Sequence, residues 1–251
     1  MIRFGVLGPV GVADGGVLTA VPGPMPRTVL AALLISANRV VGAGHLVDVL
    51  WGENPPATAM ASLHNHVRRL RAGLWQAGGG RLRAVAPGYV LDVAPDELDL
   101  AEFIRLAGLG RAALTAGNWL DAARNLAQAL ALWRGDPLAD VRSQMLRERE
   151  VPRLSELRLQ ALEGRIDAEL KLGHGAELTA ELRGLTAANP LHERFHAQLM
   201  LARYASGRRA EALEAYRRAR EVLVEQAGVE PGTELRQLHQ RMLAEPVLSG
   251  C

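Results

Sequence analysis

Residues 57–76 of the chain read ATAMASLHNHVRRLRAGLWQ. Apolar residues recur in it every three or four positions, which is the spacing of one side of an α-helix. At about 100° per residue they form a single stripe. The stripe consists of Met60, Leu63, Val67, Leu70 and Leu74. The pattern therefore predicts a helix over residues 57–76 whose apolar stripe faces a hydrophobic core.

The opposite side of this helix combines small residues, polar residues and arginine. It carries Thr58, Ala61, Ser62, Asn65, Arg68, Arg69 and Ala72, while His64, His66 and Arg71 flank the stripe. No acidic residue occurs between positions 54 and 91. Small residues let a helix approach DNA closely, asparagine pairs with adenine, and arginine binds guanine or phosphate. A solvated helix face is the alternative, but such faces usually mix glutamate with arginine, so the pattern favours a DNA major groove.

The segments around this helix indicate a winged helix-turn-helix domain over residues 1–95. Short strands are predicted before residue 23, with a turn at Asp14-Gly15-Gly16. Two helices follow, over residues 26–38 and 43–52, and the loop GENPPA leads into the helix over 57–76. The run RLRAVAPGYVLDV, residues 81–93, suits a β-hairpin. Helix, loop and helix followed by a hairpin is the winged-helix order.

Residues 96–251 show long alanine- and leucine-rich helical patterns without a strand signal. The segment around Gly173 aligns with the segment around Gly207 at an offset of 34 residues, the tetratricopeptide (TPR) period, and residues 115–133 repeat the same shape around Gly117. Nearly twice the period separates Gly117 from Gly173, which suggests an insertion around residues 135–144. The fold class is therefore mainly α with small β: a winged helix, then an all-α TPR-like domain.

Composition separates the two regions further. Residues 1–95 hold eight arginines against four carboxylates, whereas residues 96–251 hold 21 basic and 23 acidic residues. This asymmetry suggests an anionic partner for the first region, although 28 arginines against one lysine also fits a GC-rich coding bias. The single cysteine, Cys251, forms no internal disulfide, and neither a signal peptide nor a membrane span is expected. We expect a cytoplasmic, nucleoid-associated protein with no membrane partner.

One motif points elsewhere: His192-Glu193-Arg194-Phe195-His196 spells the His-Glu-x-x-His of zinc proteases. Spaced four apart on a helix, the two histidines would share a face, and Glu211 or Glu214 is the candidate third ligand. The metzincin continuation is absent, however. We therefore favour a packing helix, capped by Asn189 and Pro190, with an apolar stripe of Leu191, Phe195, Leu199 and Ala202. We expect no metal, no cofactor and no catalytic residue.

Longer motifs in both regions resemble the Streptomyces antibiotic regulatory protein (SARP) family of transcriptional activators. The resemblance covers residues 2–243, with both halves in the family's order. In the first half it rests on LLISANRVV (33–41), LVDVLWGENPPATAMASLHNHVRRLRAGL (46–74) and APGYVLDV (86–93). In the second half it rests on DELDLAEFIRLAGLGRAAL (96–114), ALALWRGDPLADV (129–141), LHERFHAQLMLARYASGRRAEALEAYRRAREVL (191–223) and GVEPGTELRQLHQRML (228–243).

This resemblance implies an OmpR/PhoB-type winged helix followed by a bacterial transcriptional activation domain. Such activators bind tandem direct repeats in double-stranded DNA near a promoter, usually as a pair of protomers. They engage RNA polymerase and its sigma factor, typically at genes for secondary-metabolite and antibiotic biosynthesis. No receiver domain and no G-x-x-x-x-G-K-[ST] nucleotide-binding motif is expected here.

The resemblance also implies roles for particular residues. Arg69 would face bases, and Arg68, Arg71 and His66 would face bases or phosphates, alongside Thr58, Ser62 and Asn65. The hairpin would be the wing, with Arg81, Arg83 and Tyr89 near the DNA backbone. The loop from Trp51 to Pro56 would contact the polymerase, through Trp51, Glu53, Asn54 and Pro55. The wing departs from the family pattern, with Val85-Ala86 before Pro-Gly-Tyr and Val90 after it, so a weaker wing contact is expected.

Two other functions remain open from the sequence. The altered wing allows a TPR-like protein-interaction scaffold whose winged helix no longer reads DNA. A zinc hydrolase acting through His192, Glu193 and His196 is the remote alternative. The first would select no DNA sequence, and the second would contain stoichiometric zinc.

Overall fold

The structure is a computed structural model that describes residues 4–14, 17–74 and 80–244. The chain divides into two compact units. Unit 1 comprises Met1–Leu109 and Ala127–Ala161, and unit 2 comprises Gly110–Leu126 and Leu162–Cys251. Unit 1 therefore contains the winged-helix region together with part of the helical region. The expected domain division at residues 95 and 96 stays a prediction.

The chain begins with a three-stranded antiparallel sheet, as the strand signals before residue 23 predicted. Its strands are β1 (Phe4–Gly5), β2 (Gly11–Asp14) and β3 (Val17–Ala20), in that order. Strands β2 and β3 pair as a hairpin, with Val12 opposite Thr19. Gly15 and Gly16, the centre of the predicted turn, lie outside the described residues.

Three helices follow this sheet. They are α1 (Pro24–Ile35), α2 (Ala43–Trp51) and α3 (Ala59–Leu74). Helix α1 is buried around most of its circumference, from Thr28 to Leu34, because it packs against both α2 and α3. Helix α2 matches its prediction, whereas α1 ends three residues before the predicted end at Asn38. Asn38 instead adopts a left-handed backbone with φ of 64°. Its side-chain Nδ2 donates to the carbonyl of Val93 at 2.9 Å, and its Oδ1 accepts from the amide of Val93 at 2.8 Å.

The predicted hairpin is present as β5 (Leu82–Val85) and β6 (Gly88–Leu91), and a third strand joins it. This strand is β4 (Val41–Gly42), which gives the sheet order β4-β6-β5. No sequence pattern predicts β4, because two residues are too few for a strand signal. Gly88 permits the pairing: a Cβ there would meet the carbonyl oxygen of Val41 at 1.9 Å, so the strands can approach only without one.

The region from residue 96 to residue 244 consists of helices joined in pairs by short turns, as the repeat pattern predicted. They are α4 (Asp99–Thr115), α5 (Trp119–Leu130), α6 (Gln144–Lys171), α7 (Gly175–Ala188), α8 (Glu193–Ala205), α9 (Arg209–Ala227) and α10 (Thr233–Ala244). The three glycines that defined the repeat, Gly117, Gly173 and Gly207, each lie in the turn of a pair with φ of 73°, 89° and 75°. That left-handed backbone favours glycine after a helix. The prediction of an all-α domain built from TPR-like helix pairs is therefore confirmed.

The stretch between α5 and α6, residues 131–143, is not helical and coincides with the predicted insertion. Within unit 1 it bonds to the residues after β1. The amide of Arg134 donates to the carbonyl of Leu7 at 2.8 Å, and the amide of Leu138 donates to that of Gly8 at 3.0 Å. The insertion thus completes the hydrogen bonding of a segment that leaves the first sheet. None of the helices in the described ranges combines the length and apolar character that crossing a membrane requires.

Candidate nucleic-acid interface

Helix α3 places its leucine stripe in the core, with one correction. Leu63, Val67, Leu70 and Leu74 are all buried, but Met60 is 46% exposed. The prediction that Met60 faces the core is wrong. Met60 lies at the edge of the stripe, and Ala59, one residue earlier, occupies the buried position nearer its centre. Helix geometry therefore moves Met60 onto the outer surface beside His64.

The outward side of α3 is open and basic. Thr58, Asn65, Arg68 and Arg69 are exposed, and Ser62 is half-buried at the side of the helix. Within the residues that the structure describes, neither Arg68 nor Arg69 has a carboxylate oxygen within 4.0 Å. Two adjacent guanidinium groups without internal partners create a positive surface that attracts an anion.

Arg71, by contrast, is attached to the wing. Its Nε donates to the carbonyl oxygen of Leu82 at 2.9 Å, which links the last turn of α3 to the first residue of β5. The side chain is otherwise exposed. One of its nitrogens therefore serves the fold, while the rest of the guanidinium group lies at the junction between α3 and the wing.

His66 faces α2 instead of the open side. Its ring lies 6.4 Å from the ring of Trp51, centre to centre, with a tilt of 33°. The ring is half-buried, and its Nδ1 is fully covered and has no hydrogen-bond partner among the residues that the structure describes. Burial, with a smaller contribution from the nearby Arg69, lowers the pKa of His66 below its ordinary value. The imidazole is therefore neutral near pH 7.

Of the three wing residues expected near DNA, the two arginines pair with carboxylates and the tyrosine is buried. Arg81 pairs with the buried carboxylate of Glu97 through both terminal nitrogens. Arg83 pairs with Asp92 through Nε at 2.5 Å and a terminal nitrogen at 2.9 Å, and this hydrogen bond lowers the pKa of Asp92. Tyr89 is only 7% exposed. The wing surface is thus more nearly neutral than its arginines suggest.

The loop between α2 and α3 projects from the domain. Gly52 ends α2 with φ of 62°, and its amide donates to the carbonyl of Asp48 at 2.7 Å. Glu53, Asn54 and Pro55 are exposed, whereas Trp51 at the end of α2 is half-buried. The loop therefore presents a short, exposed, proline-containing surface that directly precedes α3 in the chain.

The His-Glu-x-x-His motif does not form a shared site. Helix α8 begins at Glu193, so His192 precedes it. The predicted start at Asn189 and Pro190 is wrong, because those residues form the turn after α7. Leu191, which was expected in the apolar stripe, is 48% exposed. His192 Nε2 pairs with Glu163, whereas His196 Nε2 donates to the carbonyl of Pro190 at 2.8 Å. No group of three potential metal ligands occurs in the described part of the chain.

The proposed third ligands also have other partners. Glu211 pairs with Arg208, and Glu214 pairs with Arg217 and Arg218. These are short-range pairs on the surface of α9, typical of an exposed helix. The residues that spell the zinc motif therefore serve packing and surface charge in unit 2.

Of the side-chain contacts around α3 and the wing, the pair Arg83–Asp92 could be predicted from the sequence, whereas the pair Trp51–His66 could not. In the hairpin Arg83 lies opposite Val90, so Asp92 is its diagonal neighbour on the same face. That register could have predicted the pair from the sequence. The contact between Trp51 and His66 had no such signal, because it depends on the angle between two helices.

Comparison with known proteins assigns both regions. The family model "Bacterial transcriptional activator domain" matches residues 98–243, and "Transcriptional regulatory protein, C terminal" matches residues 23–91. The regulatory protein DnrI of Streptomyces peucetius is 39% identical over 254 residues, which cover 98% of this chain and 93% of DnrI. The chain belongs to the SARP family. As a SARP-family protein it is a transcription regulator, built from an OmpR/PhoB-type winged helix and an activation domain.

Longer relatives and one solved structure agree with this assignment. Regulatory protein AfsR of Streptomyces coelicolor is 44% identical over 250 residues, which cover 99% of this chain but only 25% of AfsR. The structure of Mycobacterium tuberculosis EmbR in complex with a low-affinity phosphopeptide superposes with a TM-score of 0.93 at 38% identity. It covers 96% of this chain and 65% of EmbR. This SARP-family chain therefore spans a quarter of one relative and about two thirds of another.

Proposed function

We propose that this regulator is a sequence-specific DNA-binding activator that reads the major groove with α3. A pair of protomers binds tandem direct repeats at a promoter, each through its own α3. The loop that begins at Trp51 and includes Glu53, Asn54 and Pro55 contacts RNA polymerase and its sigma factor. The target genes direct secondary-metabolite biosynthesis, as the resemblance to the Streptomyces antibiotic regulatory protein family implies.

The main support for this proposal is the exposure of two adjacent arginines, Arg68 and Arg69. Both are exposed on the side of α3 opposite its buried stripe, and neither has a carboxylate partner in the described residues. By comparison, the adjacent arginines Arg217 and Arg218 of α9 both pair with Glu214. An unneutralised pair on an exposed helix face, in a region without acidic residues between positions 54 and 91, supports binding of a polyanion.

The positions around this pair suggest a division of tasks. Asn65, Arg68 and Arg69 are all exposed on the outward side of α3, and Ser62 and Thr58 lie toward its N-terminal end. In this proposal Asn65 and Arg69 meet base edges. Arg68 and the terminal nitrogens of Arg71 would reach phosphates. Arg81 and Arg83 would have to leave Glu97 and Asp92 before binding DNA, so the wing contributes less affinity in this proposal.

The test begins with selection of bound fragments from genomic DNA by the purified full chain. We expect an enriched direct repeat. Gel-shift titrations then compare Arg69→Ala and Arg68→Ala with the control Arg147→Ala, which removes an exposed arginine of α6. Loss of a base contact should cost about 1–3 kcal/mol at its own position and relax sequence choice. Loss of a phosphate contact should weaken all sequences and reduce the salt slope by about 0.9.

Two results would contradict the proposal. Failure of the wild-type chain to enrich any sequence would favour the interaction scaffold. Equal affinity and equal salt slope in Arg68→Ala, Arg69→Ala and Arg147→Ala would show that α3 is not the reading surface.

A further inference from the structure

His66 differs from the other polar residues of α3 because its ring faces α2. It lies one residue, or about 100° around the helix, from the exposed Asn65, and this turn directs it toward α2. There its ring packs at 6.4 Å against Trp51, the last residue of α2. Centre-to-centre distances between about 4.5 and 7 Å are those of interacting aromatic pairs.

The environment of His66 is unsuited to a DNA contact. Its Nδ1 is covered and has no hydrogen-bond partner in the described part of the chain, so this ring nitrogen is not available to solvent or to DNA. Burial and the nearby Arg69 also lower its pKa, so it carries no charge with which to attract a phosphate near pH 7. The structural role available to His66 is packing of its imidazole ring against the indole ring of Trp51.

Trp51 connects this ring to the loop. The next residue, Gly52, turns the chain out of α2 with φ of 62°, and the residues from Glu53 to Ala57 are exposed. The loop has few internal hydrogen bonds, among them the amide of Asn54 with the carbonyl of Trp51 at 3.4 Å and the amide of Ala59 with that of Pro56 at 2.8 Å. The orientation of the loop therefore depends on how Trp51 is held.

We propose that His66 is a positioning residue: it fixes Trp51 against α3 and so holds the loop from Glu53 to Pro56 in the orientation that RNA polymerase recognises. This inference rests on the proposed function. It separates two tasks on one helix, with Asn65, Arg68 and Arg69 directed to DNA and His66 directed to the activating loop. Variants of His66 should therefore lose activation while they keep DNA affinity.

The experiment uses the full chain on a promoter that carries the selected repeat. His66→Ala removes the ring, His66→Phe keeps a flat ring without nitrogen, and His64→Ala removes an exposed imidazole of the same helix. At saturating protein we expect His66→Ala to lower transcription in vitro about two- to tenfold, the range of one aromatic pair. His66→Phe and His64→Ala should keep near-wild-type transcription, and the affinity of both His66 variants for DNA should stay within about twofold of wild type.

A double-variant cycle tests whether His66 acts through Trp51. Trp51→Ala should lower transcription by itself, and adding His66→Ala should then lower it little further, because the contact is already lost. Two independent reductions that multiply would contradict the inference. Equal loss of DNA affinity in His66→Ala and His66→Phe would also overturn it, because His66 would then contact DNA.

Hydrogen exchange supplies a readout that needs neither DNA nor polymerase. In the free chain, the peptide covering residues 51–59 should exchange faster in His66→Ala than in wild type, and at the wild-type rate in His66→Phe. Unchanged exchange in His66→Ala would overturn the positioning role. Failure of the wild-type chain to select DNA would instead overturn the proposed function, so the two failures are distinguishable.

Discussion

At the scale of single residues, burial decides what a histidine can do. His196 is 7% exposed inside unit 2, and its Nε2–H donates to the carbonyl of Pro190 at 2.8 Å. Burial lowers the pKa of His196, although this hydrogen bond and Glu193 oppose the shift. The folded state therefore binds a proton at His196 less readily than the unfolded state does, so acid should favour unfolding.

We predict that His196 makes the protein sensitive to mild acid. The contribution of neutral His196 to the free energy of unfolding is fully present above the ordinary histidine pKa of about 6.5. It declines as the pH falls toward the lower pKa of His196 in the folded state. Wild type should lose more free energy of unfolding than His196→Gln between about pH 7.5 and pH 5.5, because glutamine can donate to Pro190 without titrating. Urea titrations at both pH values measure this difference.

The control is His174→Gln, which changes an exposed histidine of the same unit. It should show the same acid sensitivity as wild type. If His196→Gln lost as much stability as wild type over this range, His196 would not be the group responsible.

At the scale of one element, α3 shows how a helix divides its residues between core and surface. Ala59, Leu63, Val67, Leu70 and Leu74 share the buried side, and α1 and α2 cover it. Because this stripe is occupied inside, the acid-free side has to face outward. The orientation of the arginine pair is thus a consequence of packing.

We predict that Leu63 and Met60 differ sharply in their effect on stability, although both belong to the apolar stripe in the sequence. Leu63→Ala, at a fully buried position, should lower the free energy of unfolding by about 2–5 kcal/mol. Met60→Ala, at a position 46% exposed, should change it by less than about 0.5 kcal/mol. Chemical denaturation of both variants measures the difference, and a similar cost for the two would mean that Met60 is part of the core.

At the scale of the whole molecule, unit 1 joins the winged-helix region to the helical region through buried polar contacts. The carboxylate of Asp99, in the first turn of α4, accepts from the amides of Val6 at 2.9 Å and Leu7 at 3.0 Å, and from Arg134 at 3.2 Å. Burial raises the pKa of Asp99, while these donors oppose the shift. Asp140 adds an ion pair with Arg27 at 3.0 Å. The segment after β1 therefore depends on residues far along the chain.

We predict that Asp99→Ala destabilises unit 1 by about 1–3 kcal/mol, because it leaves two buried amides and a guanidinium group without their acceptor. Asp121→Ala, which removes an exposed carboxylate of α5, should cost less than about 0.5 kcal/mol. Urea unfolding followed by circular dichroism would measure both. Equal stability of the two variants would show that Asp99 does not join the two regions.

Much of this architecture could be predicted, because helices and turns depend on residues only a few positions apart in the sequence. The spacing of Leu63, Val67 and Leu70 predicted α3, and Gly117, Gly173 and Gly207 predicted the turns of the helix pairs. The outward side of α3 followed from the same spacing, and it contains the arginine pair on which the proposed function depends. The hairpin could be predicted as well, because Pro87 and Gly88 separate two apolar runs.

Other features had no local pattern. Strand β4 is two residues long and forms only because β6 is present beside it. The start of α8 at Glu193 depends on the turn after α7, although Pro190 is a common first residue of helices. The exposure of Met60 depends on which of two neighbouring residues fits between α1 and α2.

The order of the elements, the periods of the helices and the acid-free side of α3 follow from the amino-acid sequence, because each depends on neighbours within a few positions. Which charged and aromatic side chains meet follows from the packing of distant elements. Glu97 with Arg81, Asp99 with Val6 and Trp51 with His66 come from separate elements. Their pairing depends on distances and angles between packed helices and strands, and the burial that shifts a pKa exists only after that packing has formed.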